Sequence, residues 1–373
     1  MIYLDYSATT PVDEEVIETY SKVCREFIGN PNSLHRLGVE AKKLIDASTE
    51  QIANILKVNS SEIIYTSGAS EANNMAIKGV ASSFQNRGRH IITTELEHSS
   101  VLSTIEYLET KGFKVDYVKL DENGQVDLED LDRLIDDETI LVTIASVNSE
   151  LGIRQDLEKI SEVIRKYPKV IFHSDVTQSI GKERIDFGVL DLASMSCQKF
   201  YGMKGIGALI KKDKLNICPL IHGGKSTTVF RSGTPATPLI VSFAKALRLV
   251  YENFDERYRY VSDLNHQLLN RLVMLEVNVN SNDYSIPHIV NVSFKNIKPE
   301  TMQHALEEED IYVSTQTACS TGDYSRAVYA ITNDKDLASH SIRISLSYKT
   351  SYEEIEKFVE VFSKLLIKLN IKN

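Results

Sequence analysis

The sequence contains no tryptophan, only four cysteines and no long apolar run. The cysteines (Cys24, Cys197, Cys218 and Cys319) are too few for a disulfide scaffold, and no pair has the C-x-x-C spacing of a zinc or dithiol site. No apolar run approaches the roughly 18 residues of a membrane-spanning helix. The first residues lack the charged and apolar segments of a secretory signal. These absences predict a soluble, cytoplasmic protein with reduced thiols.

Positive charge is also in short supply, because 42 Lys and Arg stand against 52 Asp and Glu, a formal net charge of −10. Nucleic acids and anionic membranes bind basic surface, so neither is expected as a direct partner. The nine histidines show no metal-binding spacing such as His-Glu-x-x-His, so no metal site is expected. The remaining composition, 42% hydrophobic and 25% charged, is typical of a globular protein of about two domains.

The first 255 residues do contain a repeated alternation of short apolar runs and amphipathic helical patterns. Uninterrupted apolar strands between helices are typical of a parallel sheet that helices cover on both faces, so the predicted fold class is α/β. The predicted strands are 63–67, 90–93, 115–120, 140–144, 170–172, 192–195 and 207–210. The predicted helices are 70–80, 99–109, 157–166 and 238–252.

The pattern changes near residue 255, where a charged segment predicts a helix that leads out of the first domain. The strands that follow are fewer, at 289–294, 312–314 and 342–346. Ser351 and Glu354 have the spacing of a capping box and precede an apolar stripe with helical 3–4 spacing. The second part of the chain is therefore predicted to be a smaller domain that ends in an amphipathic helix.

Two polar residues lie just beyond the carboxyl ends of predicted buried strands. Asp175 comes after the strand 170–172, and Lys199 comes after 192–195. The carboxyl ends of strands in an α/β sheet are where ligands bind, and Gln178 belongs to the same region. Asp175 is either a ligand-binding carboxylate or the cap of the next helix. Lys199 is either an amine poised for Schiff-base chemistry or a solvated loop residue.

Three further features carry possible chemistry. The segment 66–70 precedes a helix and either presents backbone amides to a phosphate or simply caps that helix. Cys319 lies in a stretch of small polar residues and is either a nucleophile on an exposed loop or a buried small side chain. Arg343 interrupts a short alternating strand and either binds a substrate carboxylate or faces solvent. Taken together, these residues are the equipment of a pyridoxal-phosphate enzyme. The cysteine adds the prospect of sulfur transfer.

The chain resembles the NifS/IscS-type cysteine desulfurases of the class V aminotransferase group, which are fold-type I pyridoxal-phosphate enzymes, over essentially its whole length. The resemblance is carried by Tyr3 to Pro11, Gly29 to His35, Thr66 to Glu71, Glu97-His98, Val147 to Gly152, Asp175 to Gln178, Ser196 to Lys199, Arg231 to Thr234, Ala318-Cys319 and Ser341 to Arg343. It implies a large domain, 14–255, with a mainly parallel seven-stranded sheet. It also implies a small α+β domain, from 1–13 and 256–373, that carries the cysteine loop and Arg343, and a homodimer.

The resemblance also implies which residues hold pyridoxal 5'-phosphate. Lys199 would form the Schiff base and move protons, Asp175 would pair with the ring nitrogen, and His98 would stack on the ring and take part in acid–base steps. Contacts to the ring 3-oxygen are implied for Asn148 and Gln178. The cofactor-binding set is completed, mostly at the phosphate, by Ala69, Ser70, Ser196, Gln198 and, from the partner subunit, Thr234.

Substrate chemistry is implied for two further residues. Arg343, with Asn148, would hold L-cysteine by its carboxylate. Cys319 would attack the sulfur, so that alanine leaves and a persulfide remains for an acceptor protein of iron–sulfur cluster assembly or tRNA thiolation.

Three departures from the family pattern are visible. Gln198 replaces a histidine that is usual before the cofactor lysine, so weaker cofactor anchoring is expected. The run 225–228 resembles that of bacterial desulfurases associated with tRNA thiolation. Gln316 stands where glycine is usual, and the cysteine loop is about two residues shorter, so slow turnover without a dedicated partner is expected.

Two other functions remain open at this point. One is a lyase, or a selenocysteine-directed relative, that does not need Cys319. The other is a degenerate, non-catalytic scaffold, which Gln198 and the altered run 225–228 would suit. Retention of Lys199, Asp175, His98, Arg343 and Cys319 together favours the desulfurase.

Overall fold

The computed structural model describes residues 1–224, 226–275, 277–315 and 324–370. Its strands are β1 (Ile2–Tyr3), β2 (Ile63–Thr66), β3 (His90–Thr93), β4 (Lys114–Tyr117), β5 (Thr139–Thr143), β6 (Ile171–Asp175), β7 (Leu192–Ser196), β8 (Gly207–Lys211), β9 (Asn278–Val279), β10 (Ile289–Ser293), β11 (Ile311–Tyr312) and β12 (Ser341–Ser345). Its helices are α1 (Glu14–Glu26), α2 (Arg36–Leu56), α3 (Ala69–Phe84), α4 (Ser99–Glu109), α5 (Leu128–Leu134), α6 (Leu157–Ile164), α7 (Thr237–Glu252), α8 (Phe254–Leu272), α9 (Pro299–Glu307), α10 (Arg326–Thr332), α11 (Lys335–Ser339) and α12 (Tyr352–Asn370).

The central sheet has seven strands in the order β2-β8-β7-β6-β5-β3-β4. Strands β4, β3, β5, β6 and β7 are parallel, and β8 runs antiparallel to both β7 and β2. Successive residues point to opposite faces, and both faces are covered, since Ile91, Leu141 and Ile171 enter one apolar cluster whereas Ile92, Val142 and Phe172 enter another. The predicted mainly parallel seven-stranded sheet with helices on both faces is thus confirmed.

A separate apolar core lies in the second part of the chain. It joins the antiparallel sheet β9-β10-β12 to α8, α9 and α12, and it includes Leu4 from the start of the chain. Strand β1 reaches this region by pairing in parallel with β11. We propose that the two cores correspond to the two domains, 14–255 and 1–13 with 256–373.

The bounds of the observed elements can be compared with those predicted from local sequence patterns. Ser351 Oγ accepts from the Glu354 N–H and Glu354 Oε2 accepts from the Ser351 N–H, at 3.2 and 2.8 Å, so the predicted capping box starts α12. Strand β6 runs three residues further than predicted and includes Asp175. The strand predicted at 312–314 is instead the two-residue β11, with Ser314 in an isolated bridge to Arg343. Within the described ranges, no helix is long and apolar enough to cross a membrane.

Candidate active site

A cavity of about 400 Å³ opens at the carboxyl ends of β5, β6 and β7, beside the start of α3. We call it the carboxyl-end cavity. Nine of the predicted site residues border it: Ala69, Ser70, His98, Asp175, Gln178, Ser196, Gln198, Lys199 and Arg343. The edge at which parallel α/β sheets bind ligands thus gathers residues from distant parts of the chain. Cys319 lies outside the described residues.

Lys199 ends a short 3-10 turn that follows β7 directly. Its Nζ donates to the backbone oxygens of Ser7 and Ala8, at 2.7 and 2.6 Å. Thr10 fixes the same turn, because its Oγ1 donates to the Gln198 oxygen at 3.0 Å and accepts from the Tyr201 N–H at 2.7 Å. The segment 5–10 therefore positions a lysine about 190 residues further along the chain.

Asp175 is the last residue of β6 and is buried, with 7% of its surface exposed. One carboxylate oxygen accepts from the Thr177 N–H at 3.0 Å, and the other accepts from Asn73 Nδ2 at 2.7 Å. Asn73 projects from α3 and is completely buried. A neutral amide and a backbone N–H thus hold the carboxylate in a fixed orientation.

His98 is the N-terminal cap of α4. Its Nδ1 accepts from the Ser100 N–H at 3.1 Å, which leaves the proton of the neutral ring on Nε2. The Ser100 hydroxyl also contacts Nδ1, at 2.8 Å, and accepts from Asn73 Nδ2 at 2.9 Å. Burial, and to a smaller degree the charge of Lys199, lowers the pKa of His98 below its ordinary value, although Asp175 and Glu150 oppose the shift. Asn73 therefore links the carboxylate of Asp175 to a neutral histidine.

Arg343 lies in the middle of β12 and is 2% exposed. Its Nη2 donates to Asp5 Oδ1 at 2.8 Å, and its Nη1 donates to the Ser149 oxygen at 2.9 Å. Its Nε has no hydrogen-bond partner among the described residues. The structure thus rejects the solvent-facing alternative and presents a buried, oriented guanidinium at the cavity.

The start of α3 offers the features of an anion site. Gly68 occupies the cap position without a side chain to satisfy the first N–H groups of the helix. Ser70 and Ser196 border the cavity beside it. Strand β8 comes close behind, because a Cβ on Gly207 would stand 2.7 Å from the Gly68 Cα. Open N–H groups and two serines at a helix start suit a phosphate.

Two predicted site residues do not border the cavity of this chain. The side-chain amide of Asn148 donates to the Leu96 oxygen at 2.8 Å, and its Oδ1 accepts from the N–H groups of Glu150 and Leu151 at 2.9 and 2.7 Å. Thr234 is exposed on the surface. Their contacts to a cofactor, across subunits in the case of Thr234, stay predictions.

The three described cysteines differ from what catalysis needs. Cys197, next to the cavity in sequence, is buried, and a Cβ on Gly202 would overlap its sulfur at 2.0 Å. Burial raises the pKa of the Cys197 thiol far above its ordinary value, so the sulfur is unreactive. Cys24 is exposed and Cys218 is partly buried, and neither borders the carboxyl-end cavity.

Sequence reasoning missed several residues that the structure places at the site. Ser7 and Ala8 act through backbone oxygens, and Asp5 pairs with Arg343. Asn73 and the buried Lys182 act behind the cavity wall, with Lys182 Nζ donating to Gln178 Oε1 at 2.8 Å. The signal available for the first group was the resemblance of Tyr3 to Pro11 to the family. For Asn73 and Lys182, the only signal in the sequence was their short distance along the chain from two predicted site residues, Ser70 and Gln178.

Comparison with known proteins agrees with this geometry. The aminotransferase class-V family matches residues 2–358. The cysteine desulfurase IscS of Vibrio cholerae serotype O1 is 41% identical over 380 residues, covering 99% of this chain and 93% of the relative. A solved NifS-like protein superposes with a TM-score of 0.94 at 38% identity, covering 99% of this chain and all of that one. SspA in complex with cysteine superposes with a TM-score of 0.83 at 32% identity, covering 94% and 100%. The chain belongs to the class-V aminotransferase family, among its NifS/IscS-like cysteine desulfurases.

Proposed function

We propose that this protein is a pyridoxal-phosphate-dependent cysteine desulfurase, which converts L-cysteine to L-alanine and passes the sulfur, as a persulfide on Cys319, to an acceptor protein. The observation that carries the proposal is the convergence of Lys199, Asp175, His98 and Arg343 on one cavity. These residues supply an amine, a carboxylate, a neutral imidazole and a buried guanidinium. The family relationship and the relative solved with cysteine support the same substrate.

The cavity fits pyridoxal phosphate by its donor set. Its volume of about 400 Å³ lies in the range of cofactor sites, about 300–1,000 Å³. Thr177 and Arg343 border it, and each keeps a buried polar atom, Oγ1 and Nε, without a hydrogen-bond partner among the described residues. Such unpaired atoms beside a cavity are typical of a site that a ligand completes. The cofactor would be held by Lys199, by Asp175 at the ring nitrogen and by the start of α3 with Ser70 and Ser196 at the phosphate. When bound, it supplies a sink for the electrons released at the substrate α-carbon.

The protein's own residues divide the remaining tasks. The negative charge of Asp175, held by Asn73 and Thr177, keeps a proton on the group that it faces. Lys199 carries a proton to or from the substrate carbon. His98 is neutral at physiological pH because its pKa is lowered, so its Nε2–H donates without adding positive charge.

Arg343 binds the carboxylate of L-cysteine. Asp5 and Ser149 already occupy Nη2 and Nη1 on one side, which holds the planar fork in place before substrate arrives. Among the described contacts, Nε and one N–H on each of Nη1 and Nη2 remain as donors for the substrate. A guanidinium that is fixed in advance loses little side-chain entropy on binding.

The sulfur step belongs to Cys319. Its thiolate attacks the substrate sulfur, an S–S bond forms, and the C–S bond of L-cysteine breaks with its electron pair left on carbon. That carbon takes up a proton and leaves as alanine, so the two thiols become one persulfide and one C–H bond without an external oxidant. A homodimer, with Thr234 reaching the neighbouring site, and a protein acceptor of the persulfide are part of the proposal.

The test is to incubate the purified protein with L-cysteine and a reductant, and to measure alanine and sulfide. Wild type should form both in equal amounts, and Cys319→Ala should form neither above background. Cys24→Ala, which removes an exposed thiol away from the cavity, is the matched control and should keep full activity. Sulfide release that is undiminished in Cys319→Ala would establish the lyase alternative. A protein that neither binds the cofactor nor forms alanine would establish the scaffold.

A further inference from the structure

Lys182 is a buried lysine directly behind the carboxyl-end cavity. Only 8% of its surface is exposed, and within the described ranges it forms no ion pair with a carboxylate. Gly181 makes this position possible. It has a left-handed φ of 72°, and a Cβ there would stand 2.3 Å from Val250 on α7. The chain turns tightly against α7 at this glycine and carries Lys182 inward.

The surroundings of Lys182 are cationic or neutral. Burial, together with the smaller effect of the charges of Lys199 and Arg343, lowers the pKa of Lys182 to about 7. His288 also lies near it, and burial together with the charge of Lys182 lowers the pKa of His288 to about 3. An apolar side chain at this position would avoid the desolvation of an amine, so stability alone does not account for a lysine here.

The one side-chain partner of Lys182 in the described structure is Gln178, whose Oε1 accepts from Nζ at 2.8 Å. On the other side of the same amide, Gln178 Nε2 donates to the Ser7 oxygen at 3.0 Å. That oxygen also receives Lys199 Nζ, at 2.7 Å. Lys182 is therefore connected to the cavity lysine through one amide and one backbone oxygen.

This chain of contacts determines which way the Gln178 amide faces. The Ser7 oxygen accepts only, so it selects Nε2, and Lys182 holds Oε1 on the opposite side. One N–H of Nε2 remains for a ligand in the cavity that Gln178 borders. We propose that Lys182 is a positioning residue, which acts through Gln178 to keep an amide N–H available to the cofactor and to steady the Ser7 oxygen that receives Lys199. This inference rests on the proposed cofactor and on no later step of the reaction.

The test is a double-mutant cycle on the full-length protein with Lys182→Met, Gln178→Ala and the double variant. The first readout is the dissociation constant of pyridoxal phosphate, titrated into cofactor-free protein. Lys182→Met and Gln178→Ala should each weaken binding about three- to tenfold, the range of one hydrogen bond. The double variant should bind no more weakly than Gln178→Ala, because Lys182 has no route to the cofactor without that amide.

Two further variants separate positioning from packing. Lys211 is a second buried lysine, in β8. Its Nζ donates to the Lys212 and Leu215 oxygens and lies 4.5 Å from the centre of the Phe230 ring, away from the carboxyl-end cavity, so Lys211→Met should leave cofactor affinity unchanged. Lys182→Gln keeps a neutral donor and should retain affinity within about twofold. Lys182→Leu, which also removes the donor, replaces Lys182→Met in the cycle if that variant does not fold. The ratio of kcat to KM for L-cysteine and the visible spectrum of the bound cofactor are recorded for every variant.

The outcomes are distinct from those of the proposed function. Losses that multiply in the double variant, or wild-type affinity in Lys182→Met, would overturn the positioning role. A wild-type protein that binds the cofactor but forms no alanine would overturn the desulfurase, while a non-additive cycle would still establish Lys182 as a positioning residue.

Discussion

The two ends of the central sheet both carry concave surfaces, and the larger one is not the candidate site. The amino-end groove, lined by Arg87, Arg165, Lys169, Asp191, Lys212 and Lys214, encloses about 630 Å³ against about 400 Å³ for the carboxyl-end cavity. It also carries five cationic side chains and a single carboxylate among these residues. By size and charge alone, the amino-end groove would be the better candidate for an anionic ligand.

The difference lies in how the polar groups are partnered. In the amino-end groove, Lys212 and Lys214 stand 3.5 and 3.6 Å from Glu62 and Asp191, and the guanidinium of Arg87 stacks 4.6 Å from the Phe84 ring. At the carboxyl-end cavity, Thr177 and Arg343 each keep a buried polar atom that has no hydrogen-bond partner in the described part of the chain. Convergent polar groups that still need partners identify a site better than volume does.

The largest expected effect is at the lysine of the carboxyl-end cavity. Lys199→Ala removes the amine that we propose to bind the cofactor and to move protons, so kcat should fall about a thousandfold or more. Lys214→Ala, in the amino-end groove, should leave kcat within about twofold. Both are measured as alanine formed from L-cysteine. A comparable loss in the two variants would erase the contrast between the two ends of the sheet.

A smaller effect is expected at the arginine. Arg343→Lys keeps the charge but loses the planar fork, so kcat/KM for L-cysteine should fall about 30-fold, equal to about 2 kcal/mol, mostly through KM. Steady-state kinetics at several cysteine concentrations give the two parameters. The matched replacement at the other end, Arg165→Lys, should change neither. A fall in kcat at unchanged KM would show that Arg343 does not hold the ground-state carboxylate.

The last effect is on stability rather than activity and concerns the two buried lysines. The pKa of Lys182 is lowered to about 7 in the native state, so between pH 7 and about 10 the unfolded state binds more protons. Wild type should therefore gain about 2 kcal/mol of stability relative to Lys182→Met between pH 7 and pH 9. Denaturant unfolding of the cofactor-free proteins at the two pH values measures this difference.

Lys211→Met is a second variant for the same measurement of stability at the two pH values. Burial lowers its pKa too, but Asp213 and Glu62 oppose the shift, so Lys211→Met should show a difference of the same sign and smaller size. Parallel pH dependence of wild type and Lys182→Met would mean that Lys182 is charged in the native state.

The sequence predicted those parts of the fold and the site that depend on local patterns. Apolar runs between helices gave the sheet, and the spacing of Ser351 and Glu354 gave the start of α12. Asp175 and Lys199 were found because they follow buried strands. A strand end can be read from neighbouring residues, so its position on the functional edge follows from the topology of the sheet.

The remaining parts of the site depend on distant contacts that leave no local pattern. Ser7 and Ala8 contribute backbone oxygens, which any residue possesses. Lys182 reads as a solvated residue after a glycine until its burial is seen. The two-residue β11 was misplaced because only its pairing with β1 defines it. The family resemblance supplied roles for Asn148, Thr234 and Cys319 that the described structure does not test.

The pairing of Asp5 with Arg343 spans 338 positions in sequence. The backbone oxygen of Leu4 accepts from the Ser345 N–H, and β1 likewise pairs with a strand that comes much later in the sequence, β11. Proteins are synthesised from the amino end at about 5–20 residues per second, so this segment is made well before the strands that fix it. The oxygens that orient Lys199 are therefore set in place only near the end of synthesis. Assembly of the catalytic site should be among the last events in the folding of this protein.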